Sequence, residues 1–542
     1  MCNITCSYTC LRCMFCKLLT LDHALTFDLQ SIYIKCAEAA KREIRAIIHT
    51  DVNNSSIVTT ENDNPYLFKA LHGLNIRSLS LSAAWGGLNV DHEESLSQSL
   101  SSLTQLETLS IEVVFYSSGL WKSLHGLNIK SLSLSIIQGR LKDHEESLLQ
   151  SLSSLTQLES LSIRVRYDSL GLWKALHGLN IKSLSLSGTW GSLNVYHEES
   201  LSQSLSSLTQ LETLSIEVKY DSPRLLEALH GLNIKSLSLR GFWEGLCVEN
   251  VEWQSQSLSS LTQLETLSIE VMYDSPSLWK ALHGLNIKSL SLIIMHGGLN
   301  VAHEESLSQS LPSLTQLETL SIEVWYYSPG LWKALHGLNI KSLSLSVQIH
   351  EVLNVPDEES LSQSLSSLTQ LETLSIEVEY DSPGLWKALH GLNIRSLSLS
   401  LSLSLSIMQG GWDVDHKESL SQSLSSLTQL ETLSIEVKYD SPGLWKALHG
   451  LNIKSLKYFN IYCGGLLPSQ VLELVDTLPT CTQKVGSNMK LCCSLEILIV
   501  ENIPLVKYTV IQQELETRKN VTVERFQISE RKLETNFVIQ CE

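Results

Sequence analysis

Histidine, serine and glutamate recur through this sequence at a spacing that invites a chemical reading. His72, His125, His177, His230, His283, His336, His390 and His449 each open the tetrad HGLN, 52 to 54 residues apart until the longer last step. A hydrolase would need one serine, one base and one orienting group converging on a pocket. Here every serine and histidine is an element of a repeated phrase, and none stands once in a special context. No enzyme signature follows. An acidic column runs alongside: Glu112, Glu217, Glu270, Glu323, Glu377 and Glu436, with Arg164 as the exception. Glutamates in successive periods stand two strands apart, roughly 10 Å. A calcium ion needs six to eight oxygens at about 2.3–2.6 Å, so a bare column cannot hold one. The column reads as a solvated acidic stripe that favours a basic partner. The histidines fail as a metal site for the same reason. The leader run CLRCMFC has short ligand spacings but no second pair at zinc-finger spacing, so it reads as an unstructured leader. No metal and no cofactor is expected.

These residues are positioned by a repeat. LTQLE begins at Leu103, Leu155, Leu208, Leu261, Leu314, Leu368 and Leu427, alternating with HGLN, so one period holds two unequal units. The first, here called the Trp unit, is SPGLWKALHGLNIKSLSLS. Ser328 is placed to cap a helix and Pro329 to open it. Leu331, Leu335 and Leu338 share a face, and Gly337 can take the left-handed conformation that ends the helix. A strand follows with Ile340, Leu343 and Leu345 as its apolar set. The second, the Glu unit, is HEESLSQSLSSLTQLETLSIEV. Glu304 and Glu305 lie at the helix start, where the dipole favours them. Leu307, Leu311 and Leu314 form its face, and Leu317, Leu320, Ile322 and Val324 its strand core. Trp121, Trp173, Trp279, Trp332, Trp386 and Trp445 recur beside the helix core positions, which suits packing between units.

Neither unit buries its apolar face alone, so stacking must do it. The expected architecture is α/β: a parallel sheet on one side, helices on the other, curved because the strand side is the narrower. The spacing L-x-x-L-x-L, as in Leu317-Leu320-Ile322 and Ile340-Leu343-Leu345, resembles the strand core of leucine-rich repeats. A helix in every unit and the paired alternation are similar to the ribonuclease-inhibitor type, which also forms the sensor region of NACHT-containing (NOD-like) innate immune receptors. The resemblance implies a horseshoe solenoid with its sheet on the concave side. The chain departs from the family pattern where Trp325 stands instead of the Asn or Cys beyond the strand. It also lacks the G-x-x-x-x-G-K-[ST] phosphate loop of those receptors' NTPase.

The expected organisation is a leader and capping helix over 1–61, with the helix at Ala37–Ile48. A repeat array spans 62–456, and degenerate closing repeats span 457–542. In the tail, PSQVLELVDTL, LEILIVE, VIQQELETRK and VTVERFQIS read as helix, strand, helix, strand.

Period-two alternation turns Leu320, Ile322 and Val324 inward and Ser321, Glu323 and Trp325 outward. The position of Trp325 varies between periods, as Arg166, Lys219, Met272, Glu379 and Lys438 show. In the Trp unit the variable outward residues include Arg240, Phe242 and Met295. Fixed inward residues build the stack, and the free positions fit partner recognition through residue types that anchor interfaces. The 57 Asp and Glu against 39 Lys and Arg, a net charge of -18, make nucleic acid and anionic membranes poor partners. No apolar run is long enough to span a bilayer. The expectation is a non-enzymatic binding module for a protein or microbial ligand on the concave face, with a constitutive scaffold subunit as the alternative. The cysteine-poor repeats and the leader's lack of a basic, apolar signal pattern point to the cytoplasm over the extracellular space.

Overall fold

The computed structural model describes residues 32–36, 44–50, 55–60, 76–83, 93–113, 118–136, 145–165, 170–188, 198–218, 229–241, 258–271, 276–295, 301–324, 329–347, 355–378, 383–401, 414–437, 448, 455–466, 468–469, 471–473, 490–499, 506–519, 521–529 and 532–540. The chain divides into two compact units, Met1–Phe242 and Trp243–Glu542.

In the first unit, strands Ser78–Ala83, Thr108–Val113, Ser131–Ile136, Ser160–Val165, Ser183–Ser187, Thr213–Val218 and Ser236–Gly241 pair in sequence order. Every junction is parallel, and equivalent residues are in register, as in Leu109 opposite Leu132. In the second unit the same ladder runs from Thr266–Val271 through Ser289–Ile294, Thr319–Val324, Ser342–Val347, Thr373–Val378, Ser396–Leu401, Thr432–Val437 and Tyr458–Leu466 to Lys490–Ile499. Helices such as Pro329–Leu335 and Val355–Ser367 join successive strands. Each unit is by itself an α/β leucine-rich-repeat solenoid with an open parallel sheet. Among the described residues no helix is long and apolar enough to cross a membrane.

The core is the expected leucine ladder. Leu320, Ile322, Val324, Leu343 and Leu345 are buried from the strands, Leu307, Leu311, Leu331 and Leu335 from the helices, and Leu314 and Leu338 from the turns just past the helix ends. Burying each such side chain contributes about 1.5–3 kcal/mol. Trp121, Trp173, Trp279, Trp332 and Trp386 are buried between units, as expected. Gly337 ends its helix at φ 73, and a Cβ there would meet nothing within 4 Å. The glycine is therefore required by backbone conformation, not by space.

Three expectations are corrected. Ile44–Thr50, the end of the expected capping helix, is a strand, antiparallel to Ile32–Cys36 and to Ser55–Thr60. Its β-branched residues Ile44, Ile47, Ile48 and Thr50 suit a strand, and pairing on both sides satisfies the backbone. Helix Val301–Ser313 begins three residues before Glu304, so its two glutamates lie within the first turns. In Glu93–Ser102, Glu145–Ser154 and Glu198–Ser207 the acidic pair does open the helix. At the tail, strand Lys490–Ile499, helix Val506–Thr517 and strand Val521–Ile528 form where expected. A further strand, Lys532–Gln540, inserts antiparallel between the two strands. The Ser529 N–H donates to Lys532 O at 2.8 Å, closing a tight hairpin that forbids parallel pairing.

Successive units are joined in two chemically different ways. From Glu unit to Trp unit, a glutamate one residue before its strand pairs with the lysine before the next. These pairs are Glu107–Lys130, Glu159–Lys182, Glu212–Lys235, Glu265–Lys288, Glu318–Lys341 and Glu431–Lys457, at 2.9–3.4 Å. The backbone follows: Lys341 N and Ser342 N both donate to Glu318 O. From Trp unit to Glu unit, serines of the next helix cap the previous one. The Ser154 hydroxyl accepts from Gly126 N at 2.8 Å and donates to Ser151 O, while Ser151 donates to Trp121 O at 2.6 Å. The glycine bond recurs at Gly178–Ser207, Gly284–Ser313, Gly337–Ser367 and Gly391–Ser426. The carbonyl bond recurs at Trp173–Ser204 and Trp332–Ser364. A Glu unit thus carries a carboxylate toward one neighbour and two serines toward the other.

Candidate interaction face

The inward side of each strand is closed by the helices, so the outward side holds whatever the fold presents. Register makes it three rows. The first alternates serine and threonine at the strand starts, such as Thr319 and Ser342. The second in the second unit is Ser268, Ser291, Ser321, Ser344, Ser375, Ser398 and Ser434, then Asn460 and Ser494. The third carries the charge. Its order is Glu270, Ile293, Glu323, Ser346, Glu377, Ser400, Glu436, Tyr462 and Glu496, one residue per strand. The short serine side chains leave these carboxylates only partly covered. Ser346 donates to Glu377 at 3.1 Å, holding its carboxylate in the row.

The same row in the first unit is mixed. Glu112 stands opposite Ser135, Ser135 opposite Arg164, and Arg164 opposite Ser187. Glu217 stands opposite Arg240. The Arg164 Nε donates to the Ser187 hydroxyl at 3.4 Å. The two faces therefore share their hydroxyl rows and differ in charge.

Of the nine variable residues singled out from the sequence, two are described. Arg240 is exposed near the end of its strand, across from Glu217, as the alternation requires. Met295 is half-buried just past strand Ser289–Ile294, and its N–H donates to Val271 O at 3.0 Å, so the ladder extends through it. Arg166, Lys219, Phe242, Met272, Trp325, Glu379 and Lys438 lie outside the described residues, as does Trp445. His125, His177, His230, His283, His336 and His390 are exposed, each one residue beyond a buried leucine. Among the described residues, no group of histidine, cysteine, aspartate or glutamate could hold a metal ion.

Sequence reasoning missed a charged cluster at the tail. Lys532 Nζ reaches Glu496 and Glu534 at 2.6 Å each, and Arg525 reaches Glu534 at 3.6 Å. It lies where the glutamate row ends, because Glu496 and Glu534 are register partners on antiparallel strands. The only signal was the K-L-E alternation of Lys532 to Glu534, which puts both charges on one strand face. Hydrogen bonds donated by Lys532 to Glu496 and Glu534 raise its pKa. A hydrogen bond from Lys532, with its charge and that of Arg525, lowers Glu534. Glu431 is lowered by its hydrogen bond from Lys457 and by that lysine's charge, with Arg395 adding.

The sign of the pH dependence follows. Glu431 and Glu534 contribute stability that is present above the ordinary carboxylate pKa and lost as pH falls through their lowered values. Lys532 contributes stability that is present below the ordinary lysine pKa and lost as pH rises through its raised value. Urea midpoints of wild type and Lys532→Met are expected to differ by a constant amount between about pH 5 and 10. The gap closes on either side. A gap of the same size that persists at pH 2 would show that Lys532 acts by packing alone.

No family model matches the sequence. No curated protein matches it either. Among solved structures, the crystal structure of a TLR13–ssRNA13 complex aligns at 17% identity with a TM-score of 0.32, covering 77% of this chain and 62% of that one. This chain thus spans less than two thirds of that structure's length.

Proposed function

We propose that the chain is a non-enzymatic binding module whose open sheet face recognises a protein or a microbial ligand, in the manner of an innate immune sensor region. The observation that carries this reading is the division of labour within one strand. Leu320, Ile322 and Val324 are buried and have the same or a closely similar residue in nearly every period, whereas the position two residues beyond Glu323, outward by the alternation of the sequence, changes between periods. Near-identical units that differ at one open position can vary what they bind without disturbing how they stack. The acidic row and a net charge of -18 favour a protein over a nucleic acid. The cytoplasm is the compartment that the cysteine-poor repeats favour.

The test is comparative affinity capture from native lysate. One bait is the whole chain, and the other carries Lys219, Arg240, Met295, Trp325 and Lys438 changed together to Ser. Circular dichroism checks that both fold. Partners lost only by the variant support the reading. Identical partner sets would move the search to the helical side and the two ends.

A further inference from the structure

The glutamate row of the second unit has a period that a ligand could match, and the match selects one class of chain. Glu270, Glu323, Glu377 and Glu436 occupy alternate strands of one continuous parallel ladder, with Ile293, Ser346 and Ser400 on the strands between. With neighbouring strands about 4.8 Å apart, the carboxylates repeat every ~9.6 Å. A polyproline II helix turns once in three residues and rises about 3.1 Å per residue, so every third side chain returns to one face after ~9.3 Å. Over the three intervals from Glu270 to Glu436 the row spans roughly 29 Å. A polyproline II chain with a cation at every third residue spans about 28 Å, and one with a cation at every fourth about 37 Å. The first stays in step across all four carboxylates, and the second slips by nearly a whole period.

The row beside the glutamates suits the same occupant. Ser268, Ser291, Ser321, Ser344, Ser375, Ser398 and Ser434 place a hydroxyl on every strand, each only partly exposed. A polyproline II backbone forms no internal hydrogen bonds, so its carbonyls are open to such donors. The short serine side chains also leave no wall between the carboxylates and a chain lying across the strands. The first unit is a poor place for this ligand, because Arg164 and Arg240 stand in its corresponding row.

We infer that the open face of the second unit binds an extended, proline-rich segment of a partner protein carrying Lys or Arg at every third position, laid across the strands. This rests on the proposed reading of the open face as the binding surface and names the partner's chemistry. The probes are two fluorescent peptides of equal charge, four repeats of Lys-Pro-Pro and four repeats of Lys-Pro-Pro-Pro, titrated with the full chain and followed by anisotropy. The three-residue repeat is expected to bind on the order of 10-fold more tightly, with affinity falling as salt rises. Changing Glu270, Glu323, Glu377 and Glu436 together to Gln should weaken it by on the order of 10²-fold and abolish the preference.

Equal binding of the two peptides would reduce the row to diffuse acidity and overturn the inference. So would unchanged binding by the quadruple variant. If neither peptide binds while the variant at Lys219, Arg240, Met295, Trp325 and Lys438 still loses lysate partners, the inference falls and the binding-face reading stands. If neither effect is seen, both fall.

Discussion

Excising residues 283–335 is expected to leave a cooperatively folded protein, whereas excising only residues 289–318 is expected to cost it much of its stability and cooperativity. The first cut removes 53 residues, one whole period, and joins Leu282 to His336. The junction reads LWKALHGLNIKSLSL, as it does in the intact chain. Lys341 then takes the place of Lys288 before Glu265, and Ser367 still caps Gly337. The second cut removes 30 residues, one unit, and joins Lys288 to Thr319. Helix Pro276–Leu282 then meets another seven-residue helix, Pro329–Leu335, in place of Val301–Ser313. Gly284 loses the Ser313 hydroxyl, and Lys341 loses Glu318 and meets Lys288 instead.

Magnitudes rank these losses. The exposed ion pair is worth at most about 1 kcal/mol, and its replacement by a like-charge pair costs a similar amount. The capping bond adds about 0.5–1.5 kcal/mol. The largest share is packing: Trp279 and Leu282 lose the helix that carries Leu307 and Leu311, at about 2–5 kcal/mol for each large side chain left poorly covered. In urea the 53-residue excision should keep a sharp transition with a smaller m-value, in proportion to the surface removed. The 30-residue excision should lose at least about 3 kcal/mol and the sharpness of the transition. Equal midpoints would mean that the units are interchangeable and that the two kinds of junction carry no specificity.

This grammar was half legible in the sequence. Leucine at i, i+4 and i+7, glycine after HG's histidine, and L-x-x-L-x-L fix helix, stop and strand locally, and local rules suffice where every neighbour is a copy. What the residues could not announce were pairings between elements far apart in sequence. Ser154 looks like one serine among many until the fold brings Gly126 within 2.8 Å. Lys341 and Glu318 look like solvated charges until parallel register stacks the residues before each strand. The ends failed for the opposite reason. Ile44–Thr50 follows a helix-favouring stretch, but its strand pairing depends on partners on both sides, and Lys532–Gln540 pairs with a strand about forty residues earlier. The outward face was legible as a pattern of alternation. Its charge period was legible too, as glutamates two strands apart; what register added is the residue standing between each pair, Ile293, Ser346 and Ser400.

Leu343→Ala is expected to cost about 3–5 kcal/mol and Ser344→Ala less than about 0.5, although the residues are neighbours with the same backbone pairing. Leu343 is fully buried between Leu320 and Leu374 in the ladder. Truncation removes a side chain shared by the interfaces on both sides, and identical leucines cannot move inward without opening their own positions. Ser344 faces out between Ser321 and Ser375 and is only half-covered. The consequence of Leu343→Ala reaches further than its energy. In a stack where each unit touches only its neighbours, stability is a sum of unit and interface terms, so one weakened interface divides the array. Unfolding of the variant should therefore split into two phases in urea, with amide exchange rising first around Ser342–Val347. A single transition merely shifted to lower urea would show that the second unit couples its repeats more strongly than nearest-neighbour contact allows. The same experiment bears on recognition. A ligand laid from Glu270 to Glu436 spans the weakened interface on both sides, and its binding should restore a single transition in Leu343→Ala by linking what the truncation separated.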